Sequence, residues 1–214
     1  MHKLQNFKNI AKKIVCVGRN YAEHAAELGN KIPEKPMIFV KTTNSLVSEG
    51  GKIITPIGCN DLHQEVELAV IFNGTVSRVM EVDAMKYVGG YAVALDMTAR
   101  DFQNEAKKAG APWFLAKSFD TSCPISDFIP KEKIPDPHNI ELFCHINGKV
   151  QQKCMTNVMI FNIPTLISYV SQFITLEEGD ILLTGTPSGV SKVVSGDCIE
   201  FGLTDISKTK IFVS

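Results

Sequence analysis

Apolar residues fall mostly in short runs, and most of these runs read as strands. Ile14 to Val17 is a β-branched run that predicts a strand. Asn20 to Leu28 reads as a short helix, with Asn20 as N-cap and Glu23 completing a capping box three residues later. Met37 to Lys41 and Glu65 to Asn73 predict strands, the second ending at the Asn73-Gly74 turn signal. Leu68 to Phe72 is apolar at every position, which marks burial on both faces. Tyr87 to Leu95 is another largely apolar strand, and Thr98 to Ala109 is a helix stopped by Gly110 and Pro112. Ile140 to Ile146 alternates, and Asn147-Gly148 turns it into a second strand, Lys149 to Cys154. A helix at Pro164 to Phe173 precedes strands at Asp180 to Thr184, Asp197 to Phe201 and Lys210 to Val213. Helices and strands do not alternate regularly, which argues against a doubly wound sheet. The expected class is α+β: a β-rich roll of mixed sheets, closed as a barrel or sandwich, with a few short helices.

Composition narrows the classes. The 214 residues carry 22 Lys plus Arg against 23 Asp plus Glu, so no basic field recommends a nucleic-acid or membrane-surface partner. The longest apolar runs, Leu68 to Phe72 and Tyr91 to Leu95, are far shorter than the roughly 20 residues of a membrane helix. Six cysteines stand apart with no C-x-x-C pair, which points to reduced, packed thiols and to the mitochondrial matrix or cytosol. From Met1 to Ala22 the chain is basic and free of acids, with Lys3, Lys8, Lys12, Lys13 and Arg19. Residues 1–13 are therefore read as an N-terminal extension, either part of a transit segment or a lysine-rich first helix. Residues 14–214 are read as one domain, with the proline-bearing stretch Lys131 to His138 as a connector inside it.

The chemistry concentrates around His63-Gln64-Glu65-Val66-Glu67. Side chains two apart on a strand share a face, so Glu65 and Glu67 can converge on one ion. Acids entering a buried strand need a partner. Asp96, at the end of an apolar strand, is either a third ligand or a helix N-cap. Three clustered carboxylates without sulfur ligands suit Mg²⁺, with Mn²⁺ as the alternative. Arg100 and Gln103 share a helix face; Arg100 either grips a carboxylate or pairs with an acid such as Glu105. Lys117 ends the apolar run Trp113 to Ala116, either snorkelling or serving as a buried cation. Thr184-Gly185-Thr186-Pro187 is a glycine turn able to aim N–H groups and a hydroxyl at an anion. His24 and Glu27 are helix neighbours, either a solvated face or a carboxylate-oriented base.

Taken in order, these residues resemble the fumarylacetoacetate hydrolase superfamily. The likeness lies in Gly18-Arg19-Asn20-Tyr21-Ala22-Glu23-His24, His63 to Leu68, Gly89-Gly90-Tyr91, Leu95 to Asp101, Leu115 to Phe119 and Leu183 to Pro187. It implies the C-terminal-domain fold of that superfamily, Glu65, Glu67 and Asp96 as Mg²⁺ ligands, and His24 with Glu27 as a catalytic dyad on a lid helix. It also implies substrate contacts at Arg100, Gln103, Lys117 and Thr186, with Lys117 stabilising oxyanion charge, and assembly as a homodimer. The branch most resembled acts on small 2-oxo acids: acylpyruvate hydrolysis, oxaloacetate decarboxylation and oxaloacetate keto–enol tautomerisation. A pyruvate enolate stabilised by a Lewis-acidic metal would serve all three. Two rivals remain at this stage: a family enzyme for a larger 2-oxo-dienoate or for fumarylacetoacetate, and a non-catalytic divalent-ion scaffold.

Overall fold

The computed structural model describes residues 3–27, 29 and 31–214. Its centre is a six-stranded sheet ordered Ile129–Pro130, Val88–Leu95, Val66–Phe72, Ile181–Leu183, Ile14–Gly18 and Met37–Lys41. All neighbours in it run antiparallel except Ile14–Gly18 beside Ile181–Leu183. A second, five-stranded sheet runs Lys149–Met155, Glu141–Ile146, Cys198–Leu203, Ser207–Val213 and Lys52–Ile53. The expected mixed-sheet α+β class is the one observed.

Val66–Phe72 is buried at every residue because both faces of the central sheet are covered. On one face Leu68, Val70 and Phe72 join a core with Leu142, Cys144 and Phe201 of the second sheet and Leu166 of the helix Ile163–Ser171. On the other, Ala69 and Ile71 meet Phe7, Cys123 and Ile125. Truncating a core residue such as Leu68 to alanine would cost about 2–5 kcal/mol.

Three local expectations are corrected. The long strand predicted from Glu65 is interrupted: Leu62–Gln64 belongs to a small three-stranded sheet, Glu65 lies at the break, and the central strand begins at Val66. Pairing with different sheets on either side forces that bend. Thr98–Ala99 pairs with Leu62–Gln64 as a short strand, so the following helix starts at Arg100 and runs to Ala109. Gly110 ends it in the left-handed conformation (φ 63°), as expected. Asn20 does not cap the helix Ala22–Glu27. Its amide donates to Phe161 O (2.9 Å) and Thr184 O (2.8 Å) and accepts from Phe161 N (2.8 Å), tying three segments together. The predicted end of that helix, Leu28, lies outside the described residues.

Candidate active site

One end of the central sheet gathers the candidate residues. Val66 pairs with Leu95 and Glu67 with Ala94. Asp96 N donates to Glu65 O (2.8 Å), which carries the register one step further. Side chains alternate along each strand, so Glu65, Glu67 and Asp96 all fall on one face at the end of this hairpin. The strand-end arithmetic therefore survives the break at Glu65. One carboxylate oxygen from each lies within 4.8 Å of the others, and all three residues are buried. Asp96 is not an N-cap, because the helix begins four residues later.

Cations surround this acidic floor. Lys117 Nζ lies 2.8 Å from Glu65 Oε2 and 2.6 Å from Asp96 Oδ2, and it donates to Thr98 Oγ1 (2.6 Å). It is fully drawn in rather than snorkelling. Arg100 pairs with Glu65, not Glu105, and donates to Gln103 Oε1 (2.8 Å). Lys41 Nζ approaches Asp96 Oδ1 to 2.8 Å and donates to the backbone carbonyls of Met97 and Lys117. Burial alone would raise the Glu65 pKa, but Lys117 and then Arg100 hold it below the usual carboxylate range. Burial pulls Lys117 down, yet Asp96 and Glu65 more than reverse this and leave it raised. Glu67 behaves oppositely: burial, then Asp96 and Glu65, push it well above the ordinary value.

The turn after Leu183 supplies the counterweight to Glu67. Gly185 N donates to Glu67 Oε2 (2.7 Å), so the anion this turn addresses is the protein's own carboxylate. Gly185 sits at φ 99°, and a β-carbon there would come within 2.7 Å of Asn20 Cβ, so only glycine fits. Thr186 Oγ1 accepts from Gln152 Nε2 (2.8 Å) and faces the same cavity as the floor. His24, on the helix Ala22–Glu27, closes another wall: it is buried and its Nδ1 lies 3.1 Å from Glu27 Oε2. Glu27 in turn accepts from Gly189 N (3.2 Å) and Glu23 from Ser188 Oγ (3.3 Å).

Thus Glu65, Glu67, Asp96, Arg100, Gln103, Lys117, Thr186 and His24 line one cavity, and Glu27 backs His24 from outside it. Lys41, Thr98, Gln152 and Asn20 were missed from sequence. Lys41 ends a strand and looks like a surface lysine; only a long-range contact reveals it. The donor set fits a hard divalent cation. Three buried oxygens converge, and burial with the neighbouring Asp96 and Glu65 carboxylates pushes the Glu67 pKa up, a crowding that a bound cation would relieve.

Comparison with known proteins agrees with this site. The family described as fumarylacetoacetate (FAA) hydrolase C-terminal matches residues 13–213. The Caenorhabditis elegans protein named oxaloacetate tautomerase fahd-1, mitochondrial, is 65% identical over 213 residues, covering 100% of both chains. A Dictyostelium discoideum protein named oxaloacetate decarboxylase, mitochondrial, is 49% identical and covers 95% of this chain and 94% of its own. Both names agree with the compartments suggested by unpaired thiols, and no described helix is long and apolar enough to cross a membrane. Among solved structures, fumarylpyruvate hydrolase from Pseudomonas aeruginosa in complex with Mn²⁺ and pyruvate superposes with a TM-score of 0.90 at 31% identity. That match covers 95% of this chain and 89% of the other. With a whole-domain match and a full-length relative beside a buried carboxylate centre, the chain belongs to the fumarylacetoacetate hydrolase family and is an enzyme.

Proposed function

We propose that the enzyme acts on small 2-oxo acids, with oxaloacetate keto–enol tautomerisation and decarboxylation foremost and acylpyruvate hydrolysis as a related capability. The observation that carries this reading is the meeting, in one cavity, of three buried carboxylates with Lys117 and a histidine–carboxylate pair. Support for oxaloacetate comes from the names of the relatives, and support for acylpyruvate cleavage from the similar fumarylpyruvate hydrolase structure.

In this reading Glu65, Glu67 and Asp96 hold Mg²⁺, with Mn²⁺ as an alternative. The bound cation would supply Lewis acidity toward the substrate keto oxygen, which acidifies the C3 protons. Lys117 faces developing oxyanion charge from a buried position where its field is little screened. His24, oriented through Nδ1 by Glu27, presents its other ring nitrogen to the cavity and moves a proton at C3. In hydrolysis the same nitrogen takes a proton from water as its oxygen attacks C4. Decarboxylation needs no such water, since C4 itself departs as CO₂. Arg100, Gln103 and Thr186 orient the substrate oxygens, and the helix over the cavity excludes water when tautomerisation is to win.

Residues 14–214 form the catalytic domain in this proposal, residues 1–13 an extension, and the working form is a homodimer in the mitochondrial matrix. The test is a panel of oxaloacetate tautomerisation, oxaloacetate decarboxylation and acetylpyruvate hydrolysis with Mg²⁺, with and without chelator. Turnover of a 2-oxo acid that chelation abolishes is expected. Chelator-resistant turnover would remove the metal role, and no turnover on any of the three would remove the substrate class.

A further inference from the structure

Arg19 and Lys107 line the same cavity as His24, Gln103 and the carboxylates, and the mechanism above gives neither a task. Among the described residues neither forms an ion pair, although each carries a full charge.

Their placement is built. Arg19 joins the strand Ile14–Gly18 to the helix Ala22–Glu27 with φ at 59°, a left-handed conformation that strains a bulky residue. Its neighbour Asn20 is pinned by its side chain to Phe161 and Thr184 and by its own carbonyl to Ile160 N (2.8 Å). The strained residue therefore cannot relax by shifting the chain. Lys107 lies one helical turn beyond Gln103 and two beyond Arg100, so the three form one stripe leading outward from the floor. Its ammonium lies 5.3 Å from the centre of the Trp113 ring, which also lines the cavity and holds the charge at the rim. Burial lowers the Lys107 pKa, and Arg100, Arg19 and Lys117 lower it further, as expected of like charges crowding one opening.

The charges add up informatively. Among the groups that line the cavity, three carboxylates, a dication, Lys117 and Arg100 make +1, which suits a single negative charge; Lys41 stands behind Asp96, outside the lining. Arg19 and Lys107 raise the lining to +3, so a dianion is matched better than a monoanion. The geometry points to a rim subsite in which Arg19 and Lys107 receive the distal carboxylate of a dicarboxylic 2-oxo acid, selecting dianionic over monoanionic substrates of equal length. This deepens the proposed function and rests on its placing the 2-oxo acid end of the substrate at the floor. Arginine offers a planar fork to a carboxylate and lysine a point charge, so together they can hold both oxygens.

Oxaloacetate and 2-oxobutyrate are the matched pair, since they differ by a terminal carboxylate against a methyl group. Trp113 is the sole tryptophan and lines the cavity, so stopped-flow quenching of its fluorescence reads binding before turnover. With the Mg²⁺-loaded enzyme, oxaloacetate should bind at least about tenfold tighter than 2-oxobutyrate. The Arg19→Gln/Lys107→Gln double variant should lose that ratio while 2-oxobutyrate affinity moves less than about twofold. Lys107→Glu alone, on an exposed helix face where folding is not at stake, should lower the ratio, and Lys107→Arg should keep it. No preference in the unaltered enzyme, an unchanged ratio in the double variant, or an equal loss for both ligands would overturn the subsite. Should oxaloacetate bind with the expected ratio but not turn over, the proposed reaction fails and the subsite stands.

Discussion

The floor and the helix above it are held by different means. Glu67 sits within, and Glu65 and Asp96 at the ends of, paired strands buried on both faces, and the three are fixed by Lys117, Lys41, Arg100 and the Gly185 amide. The helix Ala22–Glu27 is six residues long, and its outer face is held by Glu27 on Gly189 and Glu23 on Ser188. Helices this short have no stability of their own in water. The floor is thus preorganised, while the proposed function has the helix carrying His24 open to admit substrate to a largely buried centre. Substitutions in the two regions should fail in different ways.

The largest effect belongs to the floor. Glu67→Gln keeps the shape and removes a charge from the ion site. Turnover should fall about a thousandfold or more, with Mg²⁺ affinity lost in calorimetry. Unchanged Mg²⁺ binding in that variant would refute the placement of the ion. His24→Ala, on the helix, should lower kcat about 10²- to 10⁴-fold while Mg²⁺ affinity stays the same. If both fell together, the division between floor and lid would be false.

Lys41→Met removes the cation beside Asp96 Oδ1 without touching the cavity wall. Breaking a buried pair by removing one partner costs about 3–5 kcal/mol, so thermal stability should drop markedly in chelator. Added Mg²⁺ should restore part of it, because the ion replaces the missing positive charge. A variant as stable as the parent in chelator would show that the pair is not needed.

Lys41 also marks how far the sequence could be read. The central strands were legible because burial on both faces leaves an unbroken apolar run, as in Leu68 to Phe72, and the three acids were legible because strand period and strand ends are local features. What was not legible depends on distant partners. Asn20 carries a sound capping signal, yet its side chain is engaged by Phe161 and Thr184, more than 140 residues away. Glu65 looked like part of a strand because nothing local reports that Gln64 pairs with Ser191 in another sheet. Gln152, which donates to Thr186 and Pro187 and accepts from Val66 N, alternates inward on a strand whose register only the fold defines.

The floor should also answer to pH. Glu67 has a raised pKa, so its contribution to stability is full below the ordinary carboxylate value and is lost as pH rises through its folded value. Glu65 is the reverse: its contribution is present above the ordinary value and is lost as pH falls through its depressed one. Mg²⁺ competes with the proton that the raised pKa favours on Glu67, so its affinity should rise with pH and uptake should be coupled to loss of that proton. Calorimetry in two buffers of different ionisation enthalpy counts that proton, and none released would contradict the raised Glu67.

The smallest effect probes the helix. Ser188→Ala deletes one partly exposed hydrogen bond to Glu23, worth about 0.5–1.5 kcal/mol at most. It leaves the floor and the His24–Glu27 contact in place. If closure is what that bond favours, the closed population falls by up to about tenfold and KM rises by no more than the same factor. Oxaloacetate tautomerisation should suffer more than acylpyruvate hydrolysis, because only the former is harmed by admitted water. Amide exchange across residues 22–27 should speed up while exchange across 66–72 stays slow. Equal acceleration in both segments would mean that helix and floor open as one unit, and the contrast between them would be lost.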